Sequence, residues 1–521
     1  MRYTTPDLGV LCVWRKPAVS RARLIVVTVS LMLALFLAAV ELTVVGTAMP
    51  TIISQLGGLA EYSWVFSVYS LTSTVMTPIF GKLSDQFGRR PIFLLGMGLF
   101  LVGSMLSGLS QSMTQLIAFR ALQGLGAGAL IPLAFTIVGD IFTIQQRTRI
   151  QGLFSSVWGV ASLIDPLVGG FLVDNVSWRW VFYINLPFGL LAMSLLWLSL
   201  KEPPREAGRA RIDVRGAVLL SVSIVALLLA ILEGGNTWAW LSLPTFLLLG
   251  LFAASLVWLL RVERQAPEPI ISLNLFNDPM FRVAAGHGFL AGMGLFGSTS
   301  FVPLFAQAVL GMSATAAGAA LTPQILGWTL ASAFGTPFIL RVGYRRIIIT
   351  GMSVMIVGAV ILALQGPGST QFMLALSQAL FGAGMGLTIS TMVIAVQNRV
   401  QRNQMGVATS MMTFMRTIGG SIGVSVMGAV MTARLTSGLL STPGAVDIRP
   451  ESLLDPISAS QLSPQTLELV RDVLAAAIQP VFLIALVCTV LAFAVTLFTP
   501  RGSVNDLASH PSASHVGMAG E

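Results

Sequence analysis

Charge is scarce in this 521-residue chain. Asp, Glu, Lys and Arg make up 10% of it, against roughly 25% in a soluble domain. Cysteine is scarcer still: Cys12 and Cys488 are the two, far apart, so no disulfide framework stands behind the fold. The three histidines (His287, His510, His515) have no clustered Cys or acidic neighbours, which argues against a metal site. With no other grouping of His, Cys and acids, the same scarcity argues against an enzyme. No Walker sequence occurs, so ATP hydrolysis is excluded as an energy source and no cofactor is implied. What the chain has is apolar length. It is 55% hydrophobic, with a mean hydropathy of +0.83.

A span needs about 20 mostly apolar residues. Fourteen stretches meet that need, near 24–48, 62–80, 92–110, 115–139, 151–173, 180–199, 214–232, 241–260, 283–310, 317–340, 346–365, 371–396, 405–431 and 479–499. In lipid a backbone must satisfy its own hydrogen bonds, and runs of this length predict helices, not barrel strands. The first run, from Leu24, is too long for the core of a signal peptide and reads as a retained span. The chain is therefore expected to be an all-α polytopic membrane protein.

The net charge of +9 invites a nucleic-acid reading, and its distribution excludes one. With a cytoplasmic N-terminus, 24 of the 30 Lys and Arg fall in inside segments. Four lie outside (Arg179, Arg434, Arg449, Arg471), and Arg120 and Arg416 sit within spans. This is the bias that orients membrane proteins. An even span count then puts both termini in the cytoplasm, for a multi-pass protein of the cell membrane.

The chain also repeats itself. Ala121-Leu122-Gln123-Gly124-Leu125-Gly126-Ala127-Gly128 in span four matches Ala379-Leu380-Phe381-Gly382-Ala383-Gly384-Met385-Gly386 in span twelve, at an offset of 258. Gly88-Arg89-Arg90 matches Gly343-Tyr344-Arg345-Arg346 at 255, and Gln151-Gly152 matches Met405-Gly406 at 254. Three matches, in order and at nearly one offset, favour duplication of a six-span unit. The expected organisation is an N-terminal tail (1–23), a six-helix bundle (24–200), an inserted two-span hairpin with charged linkers (201–279), a second six-helix bundle (280–500) holding an external loop (432–478), and a disordered tail (501–521). Within that loop, Ser463-Pro464 followed by QTLELVRDVLAAA predicts a short surface helix. The glycine strings lie inside apolar spans, with no preceding strand and no Lys-Ser/Thr. They read as helix-packing surfaces, not phosphate loops.

The chemistry must come from the few polar groups the membrane tolerates. The loop GKLSDQFGRRP (81–91) combines Gly81, where two helices can approach closely, Gly88 for a tight turn, and Asp85 opposite Arg89 and Arg90. Asp85 can accept from either arginine or from a neighbouring helix N-terminus. Such a knot could hold one conformation and release it in another, or be a solvated turn whose charges set topology. Glu41 lies late in span one, where an ionised carboxylate is costly unless paired. It is either a group that takes up and releases a proton or half of a fixed ion pair. Arg120 cannot lose its proton, so it tunes an acid or snorkels to the interface. Asp165 offers a second protonation site, a counter-charge for cationic cargo, a gate partner for Arg416, or an acid hydrated near the external face. His287 reads as packed or cavity-lining. The 23 Met and 29 Phe suit an adaptable apolar cavity.

These sequences also resemble a known family. GKLSDQFGRRP is similar to the loop between the second and third helices of the major facilitator superfamily. ELTVVGTAMP (41–50), RALQGLGAG (120–128), DPLVGG (165–170) and WRWVFYINLPFG (178–189) resemble motifs of its fourteen-span drug:proton antiporter branch. The resemblance spans roughly residues 24–500. It implies the major facilitator fold: two six-helix bundles around a central cavity, plus the inserted hairpin. It also implies alternating access, export driven by a proton gradient, hydrophobic or cationic amphipathic cargo, and a monomer in membrane lipid. It further implies that Arg120 takes part in proton coupling and that Pro166, Gly169 and Gly170 bend and pack the fifth helix. Three positions depart from the family pattern. Glu41 stands where the motif has Asp, and Gly46 where it has Asn. Asp165 replaces the glycine that precedes Pro166. Rival readings are a lipid exporter of the same fold, proton-coupled import, and a sensor that does not transport.

Overall fold

The computed structural model describes residues 20–58, 61–202, 213–235, 237–441 and 464–501. Fourteen helical rods run through them. They are α1 (Arg21–Leu56), α2 (Tyr62–Phe87), α3 (Arg89–Leu109), α4 (Met113–Ile141), α5 (Ile144–Asn175), α6 (Asn185–Ser199), α7 (Val214–Glu233), α8 (Leu243–Gln265), α9 (Pro279–Leu304), α10 (Thr322–Leu330), α11 (Tyr344–Ala363), α12 (Gln371–Gln397), α13 (Met405–Ser441) and α14 (Pro464–Thr496). Twelve segments of the described residues are long and apolar enough to cross a membrane. The rods outside that set are α2 and α5, whose apolar residues are interrupted by Ser, Thr and Gly. Span ten is not one regular helix. Beyond α10 it continues through a π turn (Ala331–Gly335), a 3-10 turn (Thr336–Phe338) and a last helical turn (Ile339–Val342). Gly335 and Pro337 sit where the regular ladder fails, as expected where the ring removes a donor.

Local signals start the helices where the sequence supplies them. Thr143 and Gln146 form a reciprocal capping box at the start of α5. Asp278 receives the Met280 and Phe281 N–H groups (2.8 and 3.0 Å) ahead of Pro279 at the first position of α9. Gly88 joins α2 to α3 in one residue because its φ of 109° lies where a side chain would be strained, and Gly343 (φ 82°) does the same before α11.

The repeated glycines do equivalent work in the two halves. A Cβ on Gly124 or Gly128 would strike α2, and one on Gly126 would strike α3 at Gly96 and Phe100. A Cβ on Gly382 or Gly386 would strike α10 at Gln324 and Trp328, and one on Gly384 would strike α11 at Gly351 and Met355. In each half a central helix therefore lies backbone-to-backbone against two neighbours, the close approach that small residues permit in lipid. The inserted hairpin α7–α8 lays Leu220, Ile224 and Leu228 against Leu71 and Val75 of α2, in a cluster that continues into α9 and α13. Much of α8 is left exposed, including Trp258, Leu243 and Leu247.

Two expectations change. The helix at Ser463-Pro464 is not a separate surface element; it runs unbroken into the last span as the 33-residue α14. Likewise α13 extends well beyond 431 to Ser441. Apolar residues such as Leu474, Ile478 and Val481 are buried along the way, so packing carries the helix past its first polar turns. The tails, most of the first linker and the core of loop 432–478 lie outside the described residues.

Candidate functional site

Glu41 lies about 30 Å along α1, by the rise of a helix, among side chains that leave it about 1% exposed. Arg120 of α4 meets it in an ion pair, itself 1% exposed. The network closes around the pair. Asn185 of α6 donates from Nδ2 to the second Glu41 oxygen (2.9 Å), and Arg120 Nη1 donates to Gln123 Oε1 (2.8 Å). Arg120 Nε reaches the Val65 carbonyl of α2 (3.2 Å), and the guanidinium lies 4.2 Å from the Tyr69 ring centroid. Asn185 also bonds Ser104 of α3 (2.9 Å). Five helices thus contribute to one buried charge pair. Two amide atoms remain without partners among the described residues: Gln123 Nε2 and Asn185 Oδ1. Asn185 Oδ1 is the kind of acceptor a protonated Glu41 would need after the amide turned over. Gln123, Asn185 and Tyr69 were not singled out from the sequence. The available signal was position: Gln123 lies one turn after Arg120, and Asn185 lies within WRWVFYINLPFG.

The second cluster sits on the face that carries the basic loops. Asp85 pairs with Arg89 and receives two main-chain N–H groups from the start of α13, Gly406 (2.9 Å) and Val407 (2.8 Å). A carboxylate at a helix N-terminus also gains from the helix dipole. Arg89 continues the knot to Asp140 (2.8 Å), Ser84 (2.8 Å) and the Arg402 carbonyl (3.2 Å). Gly81 is needed here, because a Cβ would overlap Ser410 and lie 2.8 Å from the Gly406 carbonyl. Arg90 takes no part. Its guanidinium stacks on Trp197 of its own half (4.3 Å), and its N–H goes to Glu202 (3.0 Å). Arg147 bonds Asn398 (3.1 Å) and Gln397 bonds the Phe135 carbonyl (3.1 Å), adding further ties between halves. Asp140 and Arg402, 3.4 Å apart, join this cluster, and sequence reasoning did not select them.

At mid-depth Ser155 of α5 donates to Ser332, which bonds Ser390 of α12, each at 2.8 Å. Among the described residues, hydrogen bonds joining the halves run from the basic face to this level and no further. Near it lies a cavity of about 30 Å³ lined by Arg416, His287 and Thr413 with methionines and Phe135. Glu41 and Arg416 therefore belong to different places: one inside the N-terminal half, the other at the junction of the halves. The Asp165 and Pro166 side chains lie outside the described ones. The helix itself runs unbroken across 166. Asp165 is ten residues beyond Ser155, hence roughly 15 Å further from the basic face. Gly169 packs on Val44 and Thr47 of α1, while Gly170 faces open space, as does Gly46.

Interior charges held among bundled apolar helices, with a clasp between two similar halves, fit a membrane transporter. The comparisons give the family. The model for the Major Facilitator Superfamily matches residues 31–424, so the chain belongs to that superfamily. The chain is 38% identical over 387 residues to the multidrug transporter protein MdtP of Bacillus subtilis (strain 168), covering 74% of this chain and 71% of the relative. It is 36% identical over 493 residues to multidrug resistance protein 3 of the same organism, covering 92% and 96%. The solved structure of FucP, a Major Facilitator Superfamily transporter in the outward conformation, aligns with a TM-score of 0.59 at 16% identity, covering 92% of this chain and all of that one. Within the superfamily the chain is similar to proteins named as multidrug transporters.

Proposed function

We infer that the protein is a secondary active antiporter of the cell membrane, exchanging protons for hydrophobic or amphipathic small molecules. The observation that carries this reading is the buried Glu41–Arg120 pair with its amide shell. Glu41 is the carboxyl of this network and the group able to carry a proton in exchange, because Arg120 stays protonated. Protonation of Glu41 releases Arg120 and asks the Asn185 amide to turn, so the packing of α1, α2, α4 and α6 depends on the proton. Coupling follows if proton and cargo favour opposite arrangements of the halves.

The basic face is cytoplasmic on this reading, with both termini inside, and the clasp at Asp85, Arg89, Gly406 and Val407 holds the outward-facing arrangement. The names of the two bacterial relatives support drug-like cargo. Cationic members of that class need an acid, and Asp165 is one the sequence offers within a span toward the external side. No cofactor takes part; the proton gradient is the energy source, and the unit is a monomer.

Everted vesicles with an imposed pH gradient test the reading, with ethidium as probe. The parent should accumulate the dye and release protons on its addition, and Glu41→Gln should lose both. A parent that moves neither dye nor protons would sink the reading.

A further inference from the structure

Among the described residues Arg416 meets no counter-charge. From Pro279 to Val446 the chain contains no Asp or Glu at all, so the spans α9 to α13 supply no acid. A guanidinium cannot escape by losing its proton. Nor does Arg416 reach out to lipid headgroups, because it lines the cavity between the halves. His287 of α9 lines the same cavity, is 2% exposed, and has a ring nitrogen, Nε2, with no partner among the described residues. Thr413, one turn before Arg416, adds a hydroxyl. The remaining wall is apolar and pliable, with Met385, Met392 and Met412. At about 30 Å³ the cavity has room for a group the size of a carboxylate and not for a whole amphipathic molecule.

We propose that Arg416 and His287 form an anion subsite of the cargo cavity, and that cargo bearing a carboxylate binds with that group against Arg416. The proposal deepens the efflux reading and rests on it for the word cargo. A planar guanidinium takes both carboxylate oxygens at once, and His287 donates from Nε2 in the tautomer that carries the proton there. The apolar part of the molecule then lies along the methionines, which move aside as the halves part. The C-terminal half thereby selects for one acidic group, while Glu41 and Arg120 of the N-terminal half stay engaged with each other.

The test is equilibrium binding to the purified full chain in detergent, with dansyl-phenylalanine and its methyl ester as probes that differ in the carboxylate. Fluorescence anisotropy should show the acid bound at least about tenfold more tightly than the ester, in gluconate buffer. Arg416→Gln should remove that preference and leave ester affinity within about twofold. Arg416→Lys should restore part of it, since lysine keeps the charge without the fork, and His287→Gln should weaken acid binding alone. Equal affinity of the parent for acid and ester would overturn the proposal. So would parallel loss of both in Arg416→Gln, which marks a structural residue, or full loss of the preference in chloride buffer, which marks a site for a small inorganic ion. A preference that is present in binding while the vesicles move neither probe leaves the subsite standing and removes the efflux reading.

Discussion

Each half of the molecule carries one arginine deep within a span, and the two are treated in opposite ways. Arg120 is met by Glu41, Gln123, a carbonyl and an aromatic face, and its network is nearly saturated from within. Arg416 faces a cavity with a histidine and a threonine, and the spans α9 to α13 around it supply no acid. Duplication supplied similar scaffolds, down to the glycines that let α4 and α12 touch two neighbours each. The polar residues set into those scaffolds then diverged. A neutral pair can answer to protons without answering to cargo, whereas an uncompensated cation must answer to whatever anion enters.

That contrast is open to direct attack. The largest effect is expected from Arg120→Met, which strands a buried carboxylate and should cost about 3–5 kcal/mol in thermal unfolding of the purified protein at neutral pH. Arg416→Met should be neutral or stabilising, because it removes a buried charge that has no described partner to strand. Equal losses in the two variants would erase the distinction. Glu41→Gln keeps the volume and one hydrogen-bonding amide, so its unfolding penalty should be smaller, while gradient-driven dye uptake falls at least about tenfold. If Arg416→Gln also abolishes proton release, the two sites are not separate in function.

A third measurement concerns the clasp between the halves. Asp85→Asn weakens two charge-assisted bonds to main chain and an ion pair, which should shift the closed population by about tenfold. Distances between spin labels placed on the two halves at the basic face would report the shift, and an unchanged distribution would show that the remaining ties suffice. The smallest effect is expected at Lys82–Glu268, an exposed pair on the first half and the second linker (2.7 Å). Lys82 holds the Glu268 carboxyl below its ordinary value. Its contribution is therefore present above the usual glutamate range and fades as pH falls through the lowered value. Melting curves of Glu268→Gln should stay within about 0.5 kcal/mol of the parent from neutral pH downward.

The sequence made the rods legible because lipid imposes a length and an apolar composition on them. It also located Glu41, Arg120 and the Asp85 loop, since buried charge is rare enough in such spans to be noticed singly. It could not show that Arg90 turns away to Trp197 while Arg89 reaches Asp140, because neighbouring arginines on a helix point about 100° apart and only the surrounding helices decide which is inward. Nor could it show that the amides of Gln123 and Asn185 complete the Glu41 site. Asn185 meets Glu41 across 144 residues of sequence, Gln123 acts through Arg120, and amides are common enough in helices to pass unremarked. The start of α14 was misjudged for a related reason: its first turns carry polar residues, and the apolar surface that keeps them helical belongs to other elements.

The groups that receive Asp85 are peptide nitrogens of residues 406 and 407, and peptide nitrogens are not encoded by any codon choice. Random mutagenesis will therefore find loosened variants at the acid and scarcely ever at its receptor, apart from changes that push the two strands of contact apart. Position 406 is the natural wedge, since a methyl there would press on the Gly81 carbonyl at 2.5 Å. A selection for altered opening should return a lopsided map, dense in the first half and nearly blank opposite it.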